Sequence, residues 1–322
     1  FEQNPYWIQN RIQSKEARTR LILSLSANLK VTGWLTLQAR GNMDYSADKL
    51  RQKFYASTAT ALCGMNGRYI EMDYQETLMY GDVMAMAKKK LNDFTLDIAI
   101  GGSINDKVVN STRIDSKNAS LKFANVFNLA NIVMSSSASI DQKIDAHYQL
   151  QSVFATAQAG YKEGVFLDLT ARNDWSSTLA YTKYEKKGFF YPSIGVSFLP
   201  DKWVKMPEWV SFSKLRGAYS IVGNGVPPFI TYPVSYVTAG GGMLASDAAP
   251  FAEMKPEMTH SVELGMEWKF LQHRLGLNLT YYRTNTYEQF FKLPALAGDK
   301  YAYRYVNAGD IQNQGWEITL VA

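Results

Sequence analysis

Apolar and polar residues alternate along the stretch Thr259 to Asn285. Val262, Leu264, Met266, Trp268 and Phe270 occupy every second position, with Ser261, Glu263, Gly265, Glu267 and Lys269 between them. Leu271 to Arg274 reads as a turn. The alternation then resumes with Leu275, Leu277, Leu279 and Tyr281 against Gly276, Asn278, Thr280 and Tyr282. Successive strand side chains point to opposite faces, so this is a hairpin with one apolar and one polar face. The pattern fits a soluble sandwich with its apolar face on a core. It equally fits a membrane barrel with its apolar face in lipid and its polar face in a wet lumen.

The same period predicts strands over 19–29, 34–45, 69–79, 94–101, 147–160, 165–173, 189–198, 210–221 and 303–321, most of them about 10 to 12 residues. With the hairpin this makes eleven strands. Residues 80–91 carry Met84, Ala85, Met86, Ala87 and Lys88, types that predict a short helix in a turn. Residues 46–68, 105–143, 174–188, 222–258 and 286–301 read as long polar connections, whereas 30–33, 80–92, 161–164, 199–209 and 271–274 are short. Short and long therefore take turns along the whole chain. An up-and-down outer-membrane barrel has short turns at one end and long external loops at the other. Greek-key sandwiches have no reason to keep that parity. Trp34, Tyr45, Trp268, Phe270, Tyr281 and Tyr282 lie near strand ends, where interfacial aromatics belong.

Composition narrows the function classes. In 322 residues, apolar content is 46% and aromatics 13%, with no apolar run near the roughly 18 to 20 residues of a spanning helix. A net charge of +5 is spread thinly, with Lys88-Lys89-Lys90 as its one cluster, which speaks against nucleic-acid binding. A single cysteine, Cys63, excludes an internal disulfide, and its role is not legible. His147, His260 and His273 are scattered, and no nucleophile, Walker or dinucleotide motif occurs. No metal, cofactor or catalytic residue is expected. No signal peptide opens the chain at Phe1, and the alternation still runs at Ala322. The chain reads as one domain, a segment of a longer protein.

Several phrases resemble the SusC/RagA family of TonB-dependent outer-membrane transporters. They are Asn4-Pro5-Tyr6-Trp7, the run Thr170 to Leu179, and Phe190-Tyr191-Pro192-Ser193. Lys214 to Tyr219 with Val222-Gly223-Asn224, Lys255-Pro256-Glu257 with Glu263-Leu264-Gly265, and Val306-Asn307-Ala308-Gly309 with Asn313 to Glu317 complete the set in the family's order. The resemblance implies an all-β, antiparallel, up-and-down transmembrane β-barrel, of which this chain is about half of some 22 strands. The N-terminal plug, the TonB box and other strands would lie outside it. It further implies an importer of oligosaccharides or peptides in the outer membrane of a Gram-negative bacterium. Its partners would be a SusD-like surface lipoprotein and the TonB complex. A barrel enzyme or adhesin, or a soluble carbohydrate-binding β-protein, are the rival readings.

Arg172, Asp174 and Trp175 are candidate ligand contacts at the rim. An Arg172–Asp174 anchor and an interfacial tryptophan are their structural alternatives. Arg20, Gln38, Asp168, Glu263, Glu267, Lys269 and Asn278 are expected to line the lumen. Leu21, Leu23, Leu25, Leu167, Leu169, Val262, Leu264, Leu277 and Leu279 are expected to face lipid.

Overall fold

A computed structural model describes residues 3–117, 121–133, 139–237 and 242–322. After a short helix α1 (Pro5–Arg11), capped by the Asn4 side chain, the chain folds as an antiparallel meander. Its strands are β1 (Ile12–Lys30), β2 (Leu35–Phe54), β3 (Arg68–Leu91), β4 (Phe94–Asp115), β5 (Ser139–Tyr161), β6 (Val165–Ser176), β7 (Phe189–Phe198) and β8 (Val210–Asn224). A small hairpin of β9 (Tyr236–Val237) and β10 (Met243–Leu244) sits in the next loop. The sheet then continues with β11 (Glu257–Phe270), β12 (Leu275–Pro294) and β13 (Tyr303–Val321). Apart from that hairpin, each strand pairs with its sequence neighbours in one 11-stranded sheet. β1 and β13 have a neighbour on one side only.

The register explains why the alternation counts. Residues directly opposite across a ladder share a face. Leu29, Leu37, Ala85, Ile100, Ala155, Ala171 and Pro192 stand opposite one another in succession from β1 to β7. Three residues along the strands, Lys88, Asp97, Gln158, Asp168, Gly195, Ala218, Glu263, Tyr282 and Gly315 form a row on the other face. All nine predicted lipid-facing residues fall on the apolar face, and Leu25 and Leu264 are 81% and 56% exposed. Leu167, Leu277 and Leu279 are half-buried, none of them in a closed core. No second sheet covers either face among the described residues.

The apolar band is shorter than the strands. It runs from Leu21 to Leu29 on β1 and from Val262 to Phe270 on β11, about the 9 to 11 residues that a tilted transmembrane strand needs. Beyond Leu21 and Tyr45 the same face turns polar, with Lys15, Lys49, Arg51, Glu71 and Asp73. β1 to β5 are 19 to 24 residues long, not the expected 10 to 12. Their excess projects beyond the band on the long-loop side, by ~30 Å for ten residues. Accordingly the long connections shrink to 55–67, 116–138, 177–188, 225–256 and 295–302, while their parity with the short ones is kept.

The helix expected over 80–91 is absent, because β3 runs unbroken to Leu91. Met84 and Met86 take the polar face, Ala85 and Ala87 the apolar face, and the backbone is paired with β2 on one side and β4 on the other. Two ladders outweigh a weak helix propensity. The reversal occurs at residues 92–93, with Asn92 in the left-handed region.

Closed packing exists mainly at the long-loop end. Tyr69, Leu121 and Ile132 form one small core, and Leu179, Val226 and Met254 another, the latter flanked by Phe251, Phe290 and Tyr305. At the opposite end Trp209 stacks on Phe270 at 5.7 Å, and Tyr161 lies between Phe94 and Trp203. These aromatics edge the band, where amphipathic rings gain from an interface.

Candidate functional site

The polar face is the chemically furnished surface of the sheet. Arg18 and Arg20 make bidentate bonds to Asp48 and Asp44, with closest contacts of 2.5 Å in both pairs. Arg40 reaches Asp82 at 3.0 Å, and Lys107 reaches Glu76 at 2.8 Å. Charge-assisted, cross-strand pairs of this kind hold neighbouring strands in register where the wall faces water. Around Arg18, Arg20, Asp44, Asp48, Tyr74 and Glu76 the face dips into an open depression of about 880 Å³.

All seven residues expected in the lumen lie on this face. Arg20 pairs with Asp44. The Gln38 amide donates to Asn28, and the Gln158 amide donates to Asp168 at 2.6 Å. Glu263 lies 3.4 Å from Arg216, whose Nη2 donates to the buried Thr280 hydroxyl. Glu267 and Lys269 contact each other at 3.3 Å, and Asn278 accepts from Thr280. They are spread over β1, β2, β6, β11 and β12 and form no single pocket.

The three rim candidates separate. Arg172 and Asp174 are on the polar face, 2.7 Å apart, and Arg172 also donates to the Ser152 hydroxyl. Trp175 is on the apolar face opposite Gln151, beside a groove with Leu25 and Ile104. It shares no site with the other two. The next residues explain the rest of that run: Ser176 caps the short turn Ser177–Leu179, and Leu179 fills a loop core.

The long-loop end is held by buried polar groups. Asp115 is 1% exposed and accepts from Arg68 at 2.7 and 2.8 Å, from Arg113 and from the Lys117 backbone N–H. Burial works to raise its carboxyl, yet the Arg68 guanidinium and the Lys117 N–H hold it below the usual carboxylate range. Burial, reinforced by the Glu71 carboxylate it donates to, pushes the Tyr69 phenol up to about 12. Asn307 is a three-way clamp: its oxygen accepts from Lys255 N–H, and its amide donates to the carbonyls of Lys255 and Glu288. Gly309 beyond it has φ +89°, a conformation that favours glycine. Cys63 is buried in the 55–67 loop, and burial pushes its thiol up, which makes it an unreactive packing residue. Among the described residues no three His, Cys, Asp or Glu side chains cluster as metal ligands.

The sequence reading missed Arg18 and Asp48 because they lie in the polar extension, where both faces are hydrophilic and alternation is silent, Glu76 because its strand alternates weakly, and Lys107 because 105–143 reads as a connection. Opposite charges at facing positions were the only available signal.

The sequence profile described as "TonB dependent receptor-like, beta-barrel" matches residues 1–322. TonB-dependent receptor P3 of Formosa agariphila is 26% identical over 182 residues, covering 53% of this chain and 18% of that receptor. Receptor P39 of the same organism is 20% identical over 181 residues, covering 54% and 17%. Among solved structures, the RagAB peptide transporter superposes with a TM-score of 0.83 at 19% identity, over 98% of this chain and 35% of its own. The ferric-catecholate import receptor Fiu of E. coli K12 does so at 0.56 and 10%, over 97% and 45%. The chain thus spans less than half the length of each of these proteins, and under a fifth of the two Formosa receptors.

Proposed function

Because the chain belongs to the TonB-dependent receptor-like β-barrel family, we propose that it is part of the wall of an energy-coupled outer-membrane importer of the SusC/RagA type. The observation that carries this reading is the two-faced single sheet. A band about one membrane thick lies on one face, and cross-strand ion pairs and hydrogen-bonded polar groups lie on the other. Ion pairs such as Arg20–Asp44 and Arg40–Asp82 belong in a wet lumen, since charge turned to hydrocarbon costs several kcal/mol. The long-loop end is then external and the short-turn end periplasmic.

A barrel of some 22 strands is too wide to select by size, so a plug closes it and the external loops take part in capture. The wall performs no chemistry on its cargo. The cargo is a large nutrient, an oligosaccharide or a peptide, delivered with a SusD-like surface lipoprotein. The TonB complex drives release from the periplasmic side of a Gram-negative cell. Arg172 and Asp174 serve as rim anchors, and Trp175 as an interfacial residue. The closer superposition on RagAB than on Fiu favours this branch of the family.

The test is growth of a strain lacking the complete receptor gene, with and without its lipoprotein partner and TonB, on oligosaccharides and on peptides as sole nutrient. The reading requires one cargo class to be lost in all three deletions. Undiminished uptake without TonB would exclude it.

A further inference from the structure

On the outward face, β1 to β6 enclose a groove of about 960 Å³ that no flat barrel wall would have. Gly41, Gly81 and Gly102 form its floor, and Leu25, Ile104 and Trp175 rise beside it. Nothing lies within 4 Å of where a Gly41 Cβ would stand, and nothing closer than 3.8 Å at Gly81, so the missing side chains are themselves the depression. It lies inside the apolar band and is continuous with the surface that meets lipid.

A cleft of about 400 Å³, largely apolar but with hydrogen-bonding side chains along its sheet wall, opens on the loop side of the groove. Its wall from the sheet is Asp106, His147 and Gln149. Its wall from the loops includes Tyr181, Thr231 and Tyr232. The Gln149 amide donates to Asp106 at 3.3 Å, and Gln149 accepts from Gln151 at 2.7 Å. Gln151 in turn lines the groove, so the cleft and groove meet at successive outward positions of β5. Tyr181 and Tyr232 pair at 4.9 Å and are 71% and 55% exposed. No Lys or Arg lines the cleft among the described residues.

We propose that this face of β4–β6 holds one glycolipid of the outer leaflet, its acyl chain in the groove and its sugar head in the cleft. The order along β5, apolar groove first and hydrogen-bonding side chains nearer the long loops, is that of an amphiphile standing in the outer leaflet. The cleft's furniture selects the head. A carboxylate, amides and hydroxyls accept and donate to sugar hydroxyls, and exposed aromatic rings pack on sugar C–H faces. The Asp106 carboxylate, with His147 3.8 Å away and no Lys or Arg lining the cleft among the described residues, disfavours a phosphate head. The inference rests on the apolar face lying in lipid.

The experiment uses the complete receptor purified from outer membranes and titrated with two lipids of identical chains, a dihexosyl diacylglycerol and a phosphatidylglycerol, read by native mass spectrometry. The glycolipid adduct is expected to survive activation at about tenfold lower lipid concentration than the phospholipid. Gly41→Leu with Gly81→Leu, which fills the groove, removes that adduct. His147→Ala with Gln149→Ala erases the head preference and leaves acyl binding. Heat-modifiable migration on gels verifies that each variant is a folded barrel. Equal retention of the two lipids by the native receptor overturns the proposal while leaving the wall in lipid. So does an unchanged adduct in the folded, groove-filled variant. Absence of any lipid adduct would count against the lipid-facing assignment itself.

Discussion

Arg172 Nε lies 2.7 Å from Asp174 Oδ1, two residues along the same strand, and the same guanidinium donates to Ser152 on β5. A charged pair at the rim is here committed to its own wall. Asp174 keeps 16% of its side chain exposed, so breaking the pair leaves a poorly solvated carboxylate. Arg172→Ala and Asp174→Ala should each cost about 1–2 kcal/mol, a charge-assisted bond discounted for the 41% exposure of Arg172. In a double-mutant cycle the two losses should overlap, and uptake should fall only with the amount of folded receptor. Uptake lost at an unchanged folded level would make them ligand contacts instead.

Asp115 gives the long-loop end an acid limit. Its carboxyl is held below the ordinary range, so its contribution is complete above about pH 4 and fades as pH falls through the depressed value. The opening equilibrium read from hydrogen exchange around Tyr69, Leu121 and Ile132, corrected for the pH dependence of intrinsic amide exchange, should therefore be flat from neutral pH to about pH 5 and rise below about pH 4. Asp115→Asn should remove that rise, at the cost of faster exchange at neutral pH. An unaltered acid transition in Asp115→Asn would assign it to another group.

Depth should grade the cost of an outward charge. Met266→Arg, in the middle of the band, should destabilise the complete receptor by about 2–4 kcal/mol in vesicles. Gln75→Arg, on the same face but in the polar extension, should be near neutral. Urea titrations of the folded fraction on heat-modifiability gels compare them. Equal costs at the two positions would mean that the band is not the lipid-facing zone.

Face assignment, strand order and the parity of turns and loops were legible because lipid imposes a period of two on Val262–Phe270 and similar stretches. Strand length was not. Above Tyr45 both faces meet water, so Asp48 and Lys49 carry no alternation and read as loop, and Glu71 and Asp73 leave only a weak strand signal over 69–79. Met84–Ala87 misled for a different reason: residue types that favour a helix yielded to ladders on both sides. Of the candidate site, the inward residues of β6, β11 and β12 were readable. The pairings Arg18–Asp48 and Arg216–Thr280 were not, since they depend on register between strands 30 and 64 residues apart in sequence. Trp175 shows the limit of a local phrase: it follows Arg172 and Asp174 by a few residues, and the pleat turns it to the opposite face.

Residues 1–322 expressed alone should aggregate without detergent. β1 and β13 each present one unpaired edge beside exposed leucines such as Leu25 and Leu320, at 81% and 70% exposure. Gel filtration and circular dichroism check this. A monodisperse monomer that melts cooperatively would favour the soluble β-protein reading.

The most direct test of the central claim is cysteine accessibility along β11 in the complete receptor, in native outer membranes, on a Cys63→Ser background. Glu263→Cys and Glu267→Cys should react with a small, charged, water-soluble thiol reagent, while Leu264→Cys and Met266→Cys should react only with a lipid-soluble one. An alternating pattern with that phase is what a wall between lumen and lipid requires. The opposite phase, or uniform reactivity across these four positions, would contradict it.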